Sequence, residues 1–160
     1  MKRHHAAALL ALLLLSASAL KAENYQIRTS NTSLVLSAEA GAPVEVVYYG
    51  AALTDTDFQN IISAGVATQH KAYPVFGLVG DRPTAFAATH HDGNMTTKLV
   101  FDSYSEEKTG GVSVSRFHMK DEVYPLTVDL CYQTFDDCDV IETWVEVKNM
   151  EKGPVVLREF

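Results

Sequence analysis

Leu126-Thr-Val-Asp-Leu-Cys-Tyr-Gln-Thr-Phe-Asp-Asp-Cys-Asp-Val-Ile-Glu-Thr-Trp-Val-Glu-Val-Lys-Asn149 decides the fold. In its first half Leu126, Val128, Leu130 and Tyr132 alternate with Thr127, Asp129, Cys131 and Gln133. In its second half Ile141, Thr143, Val145 and Val147 alternate with Glu142, Trp144, Glu146 and Lys148. A period of two over this length marks half-buried strands. Asp136-Asp137 is the most turn-like pair between them, because Asp bonds its own backbone in tight turns. A turn there sets Tyr132 opposite Ile141, Leu130 opposite Thr143 and Val128 opposite Val145. Each inward residue then meets an inward partner. The stretch reads as an antiparallel hairpin with one wet face.

Working outward, the same grammar recurs. Residues 25–29 and 33–38 read as strands around Ser30-Asn-Thr32, and Gly41-Ala-Pro43 turns the chain into Val44–Gly50. Residues 51–72 lack alternation and read as a long loop with one helical turn near Phe58–Ser63. Loops of this length inside a domain are usually functional or packed on another part. Thr84–Thr89 and Thr96–Tyr104 read as a hairpin around Asp92-Gly93. Ser105–Gly111 reads as a polar loop, Val112–Met119 as a strand, Lys120–Tyr124 as a charged loop, and Pro154–Phe160 as the start of another strand. Short strands separated by turn signals give an all-β fold, an antiparallel β-sandwich. The chain stops at Phe160 in mid-strand, which leads us to expect a fragment of a longer protein, with its sandwich incomplete at the C-terminal end.

The first 22 residues read as a leader outside the fold, leaving residues 23–160 as the domain. Met1-Lys-Arg-His-His is basic, Ala6–Leu15 is apolar but too short to span a bilayer, and Ala22 offers a small-residue cleavage site. No Cys follows to accept a lipid. The expectation is an exported protein, periplasmic or secreted. Lys2, Arg3 and Lys21 are the only charges in the leader, out of 13 Lys and Arg and 20 Asp and Glu in all. The remainder is therefore net −10, which argues against nucleic acid and against anionic membrane surfaces as partners. Cys131 and Cys138 face an oxidising compartment. In the register above, however, Cys131 lies opposite Glu142, about 13 Å along the strand from Cys138 at ~3.3 Å per residue. A bridge needs Cα atoms within about 7 Å, so both thiols are expected free.

Candidates for chemistry are sparse. His90, His91 and Asp92 are the densest titratable cluster, but neighbours on a strand point to opposite faces, so the two imidazoles should not share a metal. His70 and His118 stand alone. Asp136, Asp137 and Asp139 lack the spacing of a calcium loop. Asp81-Arg82 forms a polar turn that either contacts a ligand or satisfies itself. Trp144 on the wet face is either a sugar-stacking platform or, more commonly, a packing residue against a neighbouring sheet or domain. No nucleophile elbow, phosphate-binding loop or metal-spaced Cys set occurs. We expect no metal and no cofactor.

The order of landmarks carries more. Tyr48-Tyr-Gly50, Tyr73-Pro-Val-Phe-Gly77, Asp81-Arg-Pro83, His90-His-Asp-Gly93, Leu126–Phe135 and Asp139–Asn149 follow in a sequence that resembles the N-terminal domain of glycoside hydrolase family 36 α-galactosidases. The resemblance covers about residues 25–160. It implies a supersandwich of the galactose-mutarotase type packed on a (β/α)8 barrel. It implies retaining hydrolysis of terminal α-galactosyl residues, as in raffinose-type oligosaccharides, by two carboxylates about 5–5.5 Å apart. In that family both are Asp residues on the barrel, outside this chain, so no catalytic residue is carried over and the chain alone is expected to be inactive. The segment after Tyr73–Gly77 lends residues to the mouth of the active site, which makes Asp81 and Arg82 the substrate-binding candidates. Here Arg82 directly precedes Pro83, where the family places its Arg two residues before the Pro, and Glu142 stands where relatives often carry Thr followed by Arg. Relatives also assemble through this domain, which leaves a homo-oligomer open. The competing reading is a freestanding carbohydrate-binding or adhesion sandwich.

Overall fold

A computed structural model describes residues 22–65, 70–77, 83–135 and 137–160. The predicted leader, but for Ala22, lies outside the described residues. Among the described residues, nine strands and one helix follow in chain order. They are β1 (Glu23–Arg28), β2 (Thr32–Ala38), β3 (Glu45–Ala51), α1 (Asp55–Ser63), β4 (Ala87–Thr89), β5 (Leu99–Thr109), β6 (Val112–Asp121), β7 (Leu126–Phe135), β8 (Ile141–Asn149) and β9 (Val156–Glu159). They form three antiparallel sheets in the orders β1-β2-β3, β4-β9 and β5-β6-β7-β8.

The alternation in the sequence is the reason the sheets stack. Leu126, Val128, Leu130 and Tyr132 on β7 join Phe117 and Met119 on β6 and Leu99 and Phe101 on β5 in a single apolar cluster. Ile27, Leu34 and Leu36 from the first sheet close it. Tyr25 bridges the layers, its ring 5.2 Å from Phe117 in an edge-on contact and 4.2 Å from Tyr104. Edge-on pairs of this kind add to area burial because the ring edge is positive and the face negative. The β2–β3 turn ties the two sheets at one corner, where Phe101 N–H donates to Ala42 O at 2.8 Å and Gly41 N–H to Phe101 O at 3.0 Å.

Several expectations are corrected. The β7–β8 register is displaced by two residues: Tyr132 pairs with Thr143, Leu130 with Val145 and Val128 with Val147. Asp136, half of the predicted turn pair, lies outside the described residues. Thr134 and Ile141 are the last pair, and Asp139 in the intervening loop accepts a short hydrogen bond from the Thr29 hydroxyl at the β1–β2 turn. That bond ties the loop to the β1–β2 turn of another sheet. A two-residue shift preserves which face each side chain takes, so the inward set is as read.

Ser105–Thr109 is strand, not loop. β5 runs to Thr109 and returns through Gly110-Gly111, both with positive φ (59° and 81°). That two-residue turn matches the twist of the flanking strands. Thr84–Thr89 and Thr96–Tyr104 do not pair either. β4 pairs with β9, and β5 pairs with β6. The helical turn near Phe58–Ser63 is a full helix from Asp55, capped by Thr54. The Thr54 hydroxyl accepts from Asp57 N–H at 3.2 Å and the Asp57 carboxylate accepts from Thr54 N–H at 3.3 Å. This reciprocal cap satisfies amide donors that a short helix otherwise leaves unpaired.

Candidate functional site

The motif segment Tyr73–Gly77 threads between two other pieces of chain. Val75 bridges Phe86 in parallel, Phe76 N–H donates to Phe86 O at 2.8 Å, and Ala85 N–H donates to Pro74 O at 2.8 Å. On its other side Thr97 N–H donates to Phe76 O at 3.2 Å. Gly77 has φ of 113°, and a Cβ there would stand 2.8 Å from Thr96 Cα. Only glycine fits that conformation and that gap. Tyr73 beside it is half-buried, and its hydroxyl is the one buried side-chain polar atom among the described residues that lacks a hydrogen bond. Burial pushes its pKa up to about 12.

Next to this segment the 90–97 turn is locked to the turn after β8. His90 N–H donates to Asn94 O at 2.8 Å and Gly93 N–H to His90 O at 2.9 Å, closing the turn. The Glu151 carboxylate reaches in from 60 residues away. Its Oε1 meets His90 Nδ1 at 2.7 Å, and its Oε2 meets His91 Nδ1 at 2.6 Å and accepts from His91 N–H at 3.1 Å. The side chains of Glu151 and His90 are wholly enclosed. A carboxylate only accepts, so both Nδ1 atoms carry protons. His90 Nε2 then accepts from the buried Thr97 hydroxyl at 3.1 Å when the ring is neutral. Burial raises the Glu151 pKa, but the bonds from His90 and His91 outweigh it and hold the carboxyl below its ordinary value.

Tyr124 completes the cluster. Its ring stacks on His90 at 3.7 Å and 10°, and its hydroxyl donates to Asp92 Oδ2 at 2.9 Å while accepting from Asn94 Nδ2 at 2.9 Å. Hydrogen bonds from Asn94 N–H and the Tyr124 hydroxyl lower the Asp92 pKa. The sequence reading put His90 and His91 on opposite faces of a strand. They lie beyond the end of β4, in a turn, so both rings reach one carboxylate. The partner is Glu151, and sequence reasoning missed it. Glu151 follows β8 and the histidines follow β4, strands of two different sheets.

Other candidates fare differently. Asp81 and Arg82 lie outside the described residues; the flanking Phe76-Gly77 and Pro83-Thr84 do not. His118 is not isolated, since its Nε2 meets Ser105 Oγ at 3.0 Å and its Nδ1 meets Asp129 Oδ1 at 2.9 Å. That is the order of an acyl-transfer triad. It sits in the middle of the β5-β6-β7 ladder, where backbone amides are taken up by strand pairing and leave no oxyanion donors. It is a polar ladder across three strands. A cleft of about 970 Å³ opens beside Arg28, Asp55, Glu106 and Lys108. Its charges pair among themselves, Arg28 with Asp55 at 3.8 Å and Lys108 with Glu106 at 3.1 Å. Trp144 is half-buried, and its indole donates to Glu146 at 3.1 Å. Among the described residues, no group of three or more His, Cys, Asp or Glu is placed to hold a metal ion.

The hydrogen bonds of the cluster hold the 90–97 turn to the turn after β8. The sequence profile of the glycosyl hydrolase family 36 N-terminal domain matches residues 42–160. The chain belongs to that family. No curated protein matches the sequence.

Solved structures share the family 36 fold. The α-galactosidase from Lactobacillus brevis superposes with a TM-score of 0.67 at 20% identity, over 85% of this chain and 23% of that one. A variant of the family 36 α-galactosidase AgaA from Geobacillus stearothermophilus, in complex with raffinose, gives 0.70 at 16% identity, over 86% and 23%. The galactosidase domain of the α-galactosidase-sucrose kinase AgaSK gives 0.69 at 18%, over 85% and 23%. This family 36 chain thus spans less than a quarter of each of those structures.

Proposed function

We propose that this chain is the N-terminal sandwich of an exported α-galactosidase. In this reading the parent protein removes terminal α-galactosyl residues from oligosaccharides with retention of configuration. The two carboxylates that do so lie on a barrel outside this chain. The sandwich supports that barrel and lends Asp81 and Arg82 to the mouth of its active site. The leader, residues 1–22, directs the protein to the periplasm or beyond. Association of the parent into a homo-oligomer through this domain fits the same reading.

The observation that carries the proposal is the family 36 N-terminal profile over 42–160, joined to α-galactosidase structures that each continue far beyond the matched part. The described residues fit a supporting role, since their densest titratable cluster is consumed in holding two turns together.

The test compares two proteins on a chromogenic α-galactoside. The 160-residue chain should show no turnover. A longer protein that carries this domain and its downstream barrel should release the chromophore, with the α-anomer of galactose formed first by NMR. Turnover by this chain alone, or none by the longer protein, overturns the reading. Saturable sugar binding by this chain, with Trp144 fluorescence quenched, would favour a binding module instead.

A further inference from the structure

Glu151 is the one fully enclosed carboxylate side chain in the cluster. Its surroundings fix it tightly. Glu151 N–H donates to Asn149 Oδ1 at 2.8 Å, and Asn149 Nδ2 donates to Gly153 O at 3.1 Å. Met150 N–H donates to Pro125 O at 2.9 Å, and a Cβ on Gly153 would stand 3.1 Å from His91 Cβ. The turn that carries the carboxylate is thus held by its own Asn149 side chain and by Pro125.

From Glu151 one chain of hydrogen bonds runs to the motif segment. Glu151 Oε1 holds His90 Nδ1, His90 Nε2 meets the Thr97 hydroxyl, and Thr97 N–H donates to Phe76 O. Phe76 N–H is fixed in turn by Phe86 O. Thr97 and His90 are both buried, so no water competes for these bonds and their geometry is transmitted rather than averaged. Phe76 itself is exposed, the last residue but one of Tyr73–Gly77.

We propose that Glu151 is a positioning residue: through His90 and Thr97 it sets the backbone of Phe76-Gly77, and with it the presentation of this edge to substrate. This inference rests on the α-galactosidase reading for its effect on substrate, but not for its effect on the backbone. Glu151 touches no reacting atom, so its loss should weaken binding and leave the chemical step alone.

The test uses Glu151→Ala and Glu151→Gln. Gln keeps one acceptor and the shape, and its amide can serve the second imidazole once that ring changes tautomer. In this chain, Glu151→Ala should speed hydrogen exchange at the Phe76 and Thr97 amides about ten-fold or more, with Glu151→Gln restoring part of the protection. In the longer protein, Glu151→Ala should raise KM about five- to ten-fold, the scale of one net hydrogen bond, with kcat held. If Glu151→Ala does not fold, Glu151→Gln read against wild type decides, with a smaller change in the same direction. Unchanged exchange at Phe76 and Thr97 overturns the proposal whatever the enzyme does. A fall in kcat at constant KM overturns it too. A longer protein that lacks α-galactosidase activity defeats the functional reading, while the exchange measurement still decides whether Glu151 sets Phe76.

Discussion

Trp144 lies directly across the ladder from Cys131, on the outer face of the four-stranded sheet. Cys131 is fully buried there although its face points away from the core, while Cys138 in the loop is exposed. Burial, followed by the nearby Glu146 charge, pushes the Cys131 thiol up to about 11. The thiolate is the reactive form, so Cys131 is inert at neutral pH. Ellman titration of the native protein should count one thiol, and titration in denaturant should count two. Trp144→Ser should open the site and raise the native count to two. No free thiol in denaturant would mean the two cysteines are bridged and the register is wrong.

Phe117 has no exposed surface and touches four other rings, Tyr25, Phe101, Tyr104 and Tyr132, across both layers. Its removal leaves a cavity that two sheets, fixed by their ladders, collapse poorly to fill. Phe117→Ala should cost about 3–5 kcal/mol. At this chain length that is a fall in Tm on the order of 10 °C or more, measured by circular dichroism. A cost under about 1 kcal/mol would show that the two sheets do not share this core.

Gly77 and Gly93 both have positive φ, 113° and 88°, yet they should respond differently to alanine. At Gly93 a Cβ meets nothing within 4 Å, so the cost is backbone strain alone, roughly 1–2 kcal/mol. At Gly77 the Cβ would also stand 2.8 Å from Thr96 Cα, a backbone atom that cannot swing aside. Overpacking adds a further 1–3 kcal/mol or so. Gly77→Ala should therefore lower the urea midpoint clearly more than Gly93→Ala. Equal midpoints would place Gly77 away from Thr96.

What the sequence disclosed follows from the range of the interactions involved. Alternation in Leu126–Lys148 reports which side chains face inward, and every inward residue of β7 is buried. It does not report register to better than two residues, because a shift of two leaves the faces unchanged. The loop that closes the hairpin also bonds Thr29 through Asp139, a contact 110 residues apart that no local pattern encodes. Glu106, Glu107 and Lys108 disguised a strand as a loop because they lie on an exposed hairpin arm, where charge is tolerated on both faces. Gly110-Gly111 was the signal that would have corrected it. His90-His-Asp-Gly93 was visible as a cluster, but its meaning lay in Glu151, on a different sheet connection.

The Glu151 bonds make one further demand, on pH. A group whose folded pKa is depressed contributes stability above its unfolded value and loses it as pH falls through the folded value. Glu151 is depressed from an ordinary value of 4.5, so its contribution is complete above about pH 4.5 and is lost below it. Asp139, held down by the Thr29 hydroxyl, and Asp92 act in the same direction. The acid limb of stability should therefore be steep below pH 4.5 in the wild type. In Glu151→Gln the group that binds the extra proton on unfolding is gone, so the limb becomes shallower by up to one proton. Urea midpoints measured from pH 3 to 7 read this directly. Parallel acid limbs in the two proteins would show that Glu151 carries no proton-linked stability.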